Sequence, residues 1–494
     1  MKYLSVLRKH SLLTLIIVIL MCSCAHLMTV DISPVHWMDE IQIAEIAHGG
    51  VGSKSVDASL CLINDDGTPN KQTWALYWFG GWFHDYAYSI GGHVGPRILQ
   101  LAWLAALAVL VFAYSKERTS DVLFALLLAL AVYAYPPLTK SVRGGRVDAQ
   151  ALVFTVSSLL LAHKAGHMRP SLSRLTYFVA GACFMCAFFS WVTSILIAPL
   201  VLCEIFEELK CRRIKEAITS IGFSSCGAVF AGLLLSLPFS THISDAISTF
   251  NNVVSLNAPH DTFSLAWADF LREVIVAPGF IAAGIVLLLL AVKKNLLVIF
   301  FLVVASFVCL ATRIYVFRMI YFLPFALIGF MSARNMFSYN RRIRICLLSI
   351  LGIMVFYSLI CSVGVRNATE VFARPSRDYA FYKNALAKEI GTGPDISVYL
   401  DTFELGYVSR ELGWNAYRVG AGVPGEGLLE KCDWIIIKRG SASPELEAFV
   451  AEMGFALKCE INGQESRQLT VMEKLLDRYN RLSPLGPYVI YSKK

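Results

Sequence analysis

Apolar residues run from Ser11 to Val30 with no Asp, Glu, Lys or Arg among them. Such a run is about long enough to cross the hydrocarbon core of a bilayer as one helix. Similar runs recur at about 97–114, 121–138, 149–163, 220–238, 274–291, 295–311, 319–334 and 345–364. The run from Leu175 to Phe206 is too long for one span. A split near Ser190-Trp191-Val192-Thr193 makes it two short helices that dip out and back. The pattern therefore predicts about eleven spans over residues 1–365, followed by a soluble domain over 366–494.

The polar stretches between the runs set the expected sides. Lys116 to Arg118, His163 to Arg174, Lys210 to Lys215, Lys293-Lys294 and Arg341 to Arg344 are basic turns, which the positive-inside bias assigns to the cytoplasm. Lys2, Arg8 and Lys9 put the N-terminus there too. That N-terminus resembles a signal peptide, but its apolar run is too long and no small-x-small cleavage site follows. The expectation is a retained first span in a plasma membrane. Residues 31–96 then form a first external loop, 239–273 a second, and the C-terminal domain is external.

Within the first loop, Asp39 to Ala47 carries apolar residues at helical spacing, with Asp39 near the start, where a helix dipole favours a carboxylate. Trp74 to Tyr86 is dense in aromatic rings and reads as an interfacial helix lying flat. An ordinary aromatic belt explains the same residues. In the tail, strands are expected at 396–401, 433–438, 455–461 and 488–492, and helices at 373–391, 403–412 and 446–453. This alternation indicates a small α/β domain. Gly420 to Gly427 is glycine-rich but lacks a Walker lysine and the dinucleotide spacing.

Composition agrees with this architecture. The 494 residues are 56% hydrophobic and 16% charged, against about a quarter charged in soluble globular chains. The net charge of +8 is spread over the turns, so it does not argue for a nucleic-acid partner. Thirteen cysteines show no metal-ligand spacing, and most lie inside apolar runs. Cys432 and Cys459 of the tail could pair, but two are too few for a disulfide framework. There is no convincing internal repeat, which weakens a transporter built from repeated halves.

The chemistry gathers at the external ends of the spans. Asp39 and Glu40 follow the first span directly, where carboxylates are costly to desolvate and mark a functional site. They equally could only mark the outer end of a span. Asp148 opens the fourth span. Lys140, Arg143 and Arg146, and later Arg313 and Arg318, are basic on the side where basic residues are depleted, which an anionic ligand would explain. A simple Arg146–Asp148 pair would explain part of it. A lipid-phosphate sugar suits the set: its tail stays in the bilayer, its phosphate meets cations, and a carboxylate can activate the acceptor.

On these residues the chain resembles the membrane-embedded GT-C glycosyltransferases, in the branch of the bacterial protein O-mannosyltransferases and the lipid A aminoarabinose transferase. The resemblance rests on Asp39-Glu40 after the first span with Ala44 and Gly49-Gly50 downstream, and on Gly95-Pro96-Arg97 opening the second. It rests further on Arg143-Gly144-Gly145-Arg146-Val147-Asp148, on Arg318 to Pro324, and on the soluble tail. It implies a polytopic α-helical GT-C-like fold and transfer of a sugar from a polyprenyl-phosphate donor to an envelope acceptor: lipopolysaccharide, lipid A, another glycan or protein. Asp39 would be the base or acceptor-orienting carboxylate, with Glu40 beside it, and Asp148 would complete the acidic site. Arg143, Arg146, Arg313 and Arg318 would bind the donor phosphate. Lys54, His84, Arg97 and His242 are weaker candidates, each with a ready structural explanation. A divalent cation (Mg2+, Mn2+ or Zn2+) on Asp39 and Asp148 fits the ligand types, which do not choose among the three. The alternative is a flippase for a lipid-linked glycan, disfavoured because the middles of the spans are nearly bare of charge.

Overall fold

The computed structural model describes residues 10–32, 40, 43, 78–209, 214–237, 279–311, 318–418, 424–440, 444–462 and 485–493. Asp39, Lys54, His242, Arg313 and the second external loop lie outside them. Arg318 is described by its backbone only.

The helices follow the apolar pattern closely. In chain order they are α1 (Ser11–Leu27), α2 (Trp78–Gly91), α3 (Gly95–Thr119), α4 (Val122–Tyr133), α5 (Pro136–Arg143), α6 (Asp148–Ala165), α7 (Pro170–Ser190) and α8 (Ala198–Leu209). Next come α9 (Ile214–Ser236), α10 (Phe280–Leu290), α11 (Val292–Ala311), α12 (Leu323–Met336) and α13 (Arg341–Leu359). Five helical stretches among the described residues are long and apolar enough to cross a membrane, six if the bent pair α4–α5 is one span. Three shorter apolar helices, Ser11–Leu27, Phe280–Leu290 and Leu296–Val308, accompany them. The count of about eleven thus exceeds what length and composition select here, although nearly every expected run is helical.

Local chemistry sets the breaks. Asp121 caps α4 by accepting from Phe124 N at 3.3 Å. Pro136 and Pro137 open α5, where a missing N–H and a ring clash bend the pair by 48°. The expected split of the 175–206 run falls at Trp191, in extended conformation between α7 and a 3-10 turn at Val192–Ile197, but α7 with 21 residues is long enough to cross by itself and is not the first of two short helices. On the α7–α9 contact, a Cβ on Gly181 would collide with Ser224 O, and one on Gly227 with Phe178 O. Only glycine permits these backbones to lie so close.

Two polar clusters close the bundle at opposite ends of its helices. At one end, Arg118 pairs with Glu204 and Glu207, and Tyr114 donates to Glu204. At that end too, Asp121 accepts from Arg334 at 2.8 Å and lies 3.0 Å from Arg344. The other end holds the candidate site.

Helix α2 carries the aromatics expected to form an interfacial helix. It folds back on α3, so that the Phe83 ring lies 5.8 Å from Trp103, and Phe79 lies 5.7 Å from Phe154 of α6. The Phe79 and Phe83 rings therefore fill the groove between helices, while Trp82 and Tyr86 remain exposed. The C-terminal part is reached through a continuous helical stretch. Helix α13 passes through a π turn at Ile360–Val365 and continues as α14 (Arg366–Ala373). The fall in hydropathy at Arg366 does not end the helix.

The tail is a five-stranded sheet of β1 (Ser397–Leu400), β2 (Asn415–Tyr417), β3 (Trp434–Lys438), β4 (Phe455–Ile461) and β5 (Tyr488–Lys493), in order β2-β1-β3-β5-β4. The first three are mutually parallel, and β5 runs antiparallel between β3 and β4. Alternation along the strands gives two faces. Val398, Leu400, Ile436 and Ile490 pack on α15 (Tyr379–Ile390) and α16 (Gly406–Leu412). Tyr399, Ile435 and Ile437 pack on α17 (Glu426–Leu429) and α18 (Pro444–Glu452). Cys432 and Cys459 are both free thiols, and burial pushes Cys432 up to about 12.

Candidate functional site

At the polar end of the bundle, four charged side chains from separate stretches are buried together: Glu40, Arg97, Arg143 and Asp148 are each fully shielded from solvent. An unpaired ion at that depth is very costly. Each is paired.

Glu40 receives Arg97 Nε at 2.9 Å on one oxygen and Nη2 at 2.9 Å on the other. This is the two-bond fork that a guanidinium makes with a carboxylate. Arg97 enters from the first turn of α3, and its Nη1 donates to Val30 O at 3.0 Å. Arg143, at the end of α5, pairs with Glu370 of α14 at 2.5 Å and donates to Asn367 Oδ1 at 2.6 Å and to Thr29 O at 2.9 Å. Asp148 starts α6, where the helix N-terminus favours its charge. Its Oδ2 accepts from Arg146 Nε at 2.8 Å and from Ser141 Oγ, and its Oδ1 accepts from Tyr321 OH at 2.7 Å.

The Arg143-Gly144-Gly145-Arg146 turn locks these pairs to one another. Gly145 has φ +66°, and a Cβ there would lie 2.6 Å from Glu40 Oε1. Gly145→Ala therefore meets both a left-handed backbone and the Glu40 carboxylate. The backbone penalty alone is about 1–3 kcal/mol. A lowered apparent melting temperature in detergent is the expected result, and an unchanged one would show that the turn can relax.

Arg146 is the cation of the set that retains some exposure, at 7%. Its guanidinium lies 4.8 Å from the Trp191 ring centroid, a cation–π distance. Gln150, one turn into α6, donates to Ser190 Oγ at 3.3 Å beside it. The Arg146–Asp148 pair expected as the plain explanation of these residues is present. It leaves the guanidinium's other face on an aromatic surface at the bundle end.

The site also takes a residue from the C-terminal sheet domain. Tyr407 of α16 is buried, stacks on Tyr88 at 5.3 Å, and its hydroxyl lies 3.4 Å from His84 Nε2. Burial holds its phenol well above the ordinary value of 10. The Glu40 charge adds to this, and Arg97 and Arg410 oppose it. His84 thus lies at the junction with the C-terminal sheet domain. Around it, Arg410 pairs with Asp85 at 2.8 Å, and Glu411 pairs with Lys383 at 2.7 Å and with His93 at 3.5 Å.

Burial raises the Glu411 pKa, but the His93 and Lys383 contacts more than offset it, so Glu411 lies below the ordinary 4.5. A depressed carboxylate contributes stability above its unfolded value and loses it as pH falls through the folded one. The protection of α2 amides, taken relative to their intrinsic exchange rate at each pH, is expected to fall below pH 4.5 in the wild type. In Glu411→Gln that part of the pH response should vanish; an identical response in the variant would assign it to other acids.

Among the described residues no cluster of three His, Cys, Asp or Glu side chains could hold a metal. Both oxygens of Asp148 are engaged by Arg146, Ser141 and Tyr321, and both of Glu40 by Arg97. Among the described residues, neither Asp148 nor Glu40 thus offers a cation an oxygen that is not already engaged.

Of the residues singled out in the sequence, Glu40, Arg97, Arg143, Arg146 and Asp148 meet at one end, with His84 at its margin. Glu370, Asn367, Thr29, Ser141, Tyr321, Trp191 and Tyr407 also belong to the cluster and were not singled out as site residues. Tyr321 and Trp191 did lie in stretches the sequence marks. Glu370 and Asn367 gave no signal, since they stand past the last apolar run.

No protein-family model matches the sequence, and no curated protein matches it. Solved structures do share its fold. ArnT from Cupriavidus metallidurans bound to undecaprenyl phosphate is 11% identical, with 98% of each chain covered and a TM-score of 0.60. The arabinofuranosyltransferase AftD from Mycobacteria is 14% identical over 97% of this chain and 39% of that one, with a TM-score of 0.54. The oligosaccharyltransferase AglB from Archaeoglobus fulgidus, in complex with an inhibitory peptide and a dolichol-phosphate, is 11% identical over 87% of this chain and 70% of that one, with a TM-score of 0.51. All three are GT-C glycosyltransferases. At such identities the likeness is one of fold, and it extends over nearly the whole chain.

Proposed function

We propose that this protein is a GT-C glycosyltransferase that moves a sugar from a polyprenyl-phosphate donor to an envelope acceptor on the external face of a bacterial plasma membrane. The observation that carries the reading is the cluster of Arg143, Arg146 and Asp148 at the bundle end. It is set within a fold shared end to end with a protein crystallised with undecaprenyl phosphate.

In this reading the acceptor's hydroxyl or amine attacks the anomeric carbon. The bond from that carbon to the phosphate oxygen breaks, and the polyprenyl phosphate leaves with the electron pair. Asp39 takes the acceptor's proton. Arg146 faces the departing phosphate from the Trp191 side, with Arg313 and Arg318 as further phosphate ligands. Arg143 holds the turn that carries Arg146, because its own charge is answered by Glu370. Glu40 and Asp148 act through their partners: Glu40 orients Arg97, and Asp148 orients Arg146 and Tyr321. Residues 1–365 form the membrane part and 366–494 the external domain.

The reading is tested by donor binding. Arg146→Ala removes a charge-assisted contact of about 1.5–3 kcal/mol. The Kd for undecaprenyl phosphate, measured on purified protein in detergent, should rise on the order of 10–100-fold. An unchanged Kd would return Arg146 to a purely structural pair with Asp148.

A further inference from the structure

The exit of the first span is held by four arginines from three places in the chain. Met28 O accepts from Arg374 Nη2 at 2.8 Å, Thr29 O from Arg143 Nη2 at 2.9 Å, Val30 O from Arg97 Nη1 at 3.0 Å, and Ile32 O from Arg377 Nη1 at 3.3 Å. The last carbonyls of any helix lack partners within it, and cations are favoured there. That explains one or two such contacts. It does not explain Val30 and Ile32, which lie beyond the end of α1.

Two of the four guanidiniums come from the stretch that joins the bundle to the C-terminal sheet. Further bonds follow the same line. Thr29 Oγ1 donates to Asn367 Oδ1 at 2.6 Å, and Asn367 Nδ2 lies 3.4 Å from His26 Nδ1. Residues 366–377 are thus laced along residues 26–32. Eight positions past Ile32 the chain reaches Glu40, which Arg97 holds in the site.

We propose that Arg374 and Arg377 are positioning residues for sugar transfer: with the joining stretch 366–377 they fix the path of residues 28–32, and through Arg97, which bonds both Val30 O and Glu40, the Glu40 carboxylate. The inference rests on the function proposed above. It assigns the joining stretch a part in the reaction as well as in tethering the C-terminal sheet domain. Arg377 is almost wholly buried while Arg374 is half-exposed, so Arg377 carries more of the effect.

The test uses the full-length protein in detergent, as wild type, Arg374→Ala/Arg377→Ala, and Arg374→Lys/Arg377→Lys. The lysines keep a donor for each carbonyl. Two readouts are taken: hydrogen exchange of the 26–32 peptide, whose Ile32 N donates to Thr29 O at 3.2 Å, and steady-state sugar transfer. Exchange of β3 serves as the control for global folding. In the alanine variant the 26–32 peptide should exchange on the order of tenfold faster while β3 stays protected. The kcat should fall on the order of 10²-fold, the cost of a small displacement of reacting groups, with donor KM unchanged. The lysine variant should recover much of both. If β3 is lost as well, Arg377→Lys alone gives the same comparison in a folded protein. Unchanged exchange at 26–32 would overturn the proposal. Faster exchange with full kcat would overturn it too. Absence of transfer in the wild type would defeat the proposed function instead, and exchange would still report whether the two stretches are laced together.

Discussion

Asp39→Asn is expected to lower sugar transfer by about 10²–10⁴-fold, the usual contribution of a positioned general base. Asparagine keeps the shape of aspartate but cannot take the acceptor's proton. The size of the loss depends on whether another carboxylate can stand in, and Glu40 and Asp148 cannot. Both oxygens of Glu40 are committed to Arg97, and both of Asp148 to Arg146, Ser141 and Tyr321. Freeing either would leave a buried cation or donor unmatched. The variant should therefore reach the membrane in normal amount, melt at the wild-type temperature and turn over slowly. Turnover near wild type would remove Asp39 from proton transfer.

Loss of either partner of the Arg97–Glu40 pair is expected to cost about 3–5 kcal/mol of stability, because it strands the other charge in a buried site. Glu40→Met and Arg97→Met should each cut the yield of folded protein and lower its melting temperature. The double variant should be more stable than the sum of the singles implies, since it strands no charge. The double should still transfer poorly, because Val30 O loses its donor and Gly145 its packing partner. Two tolerated single variants would contradict the buried pair. Full additivity in the cycle would show that the two residues act separately.

What the sequence made legible is mostly local. Apolar runs located the helices because burial in lipid or in a bundle imposes one composition on every span. The break at Trp191 was visible because a run of 32 residues (175–206) exceeds one crossing. Asp148 at the head of α6 and its pairing with Arg146 followed from two residues close in sequence. Hidden features depend on which ends meet. Glu370 and Asn367 answer Arg143 from more than 200 positions away, and hydropathy carries no such information. It also placed a boundary at Arg366, where the helix continues through a π turn and brings those two side chains to the site. The aromatics of α2 suit a membrane interface and a helix groove equally, and hydropathy does not say that it is Phe79 and Phe83 that pack on Phe154 and Trp103. Tyr407, on a short helix of the C-terminal sheet domain, had nothing in its surroundings to tie it to Arg97.

The central claim is transfer of a sugar from a lipid phosphate. It is met most directly by incubating purified protein with undecaprenyl phosphates carrying labelled sugars and with envelope acceptors, wild type beside Asp39→Asn. Label passing to an acceptor with the wild type, and at most at trace rate with the variant, is the result expected here. Movement of the lipid-linked sugar across a vesicle bilayer with no transfer from any donor would contradict the account and favour a flippase.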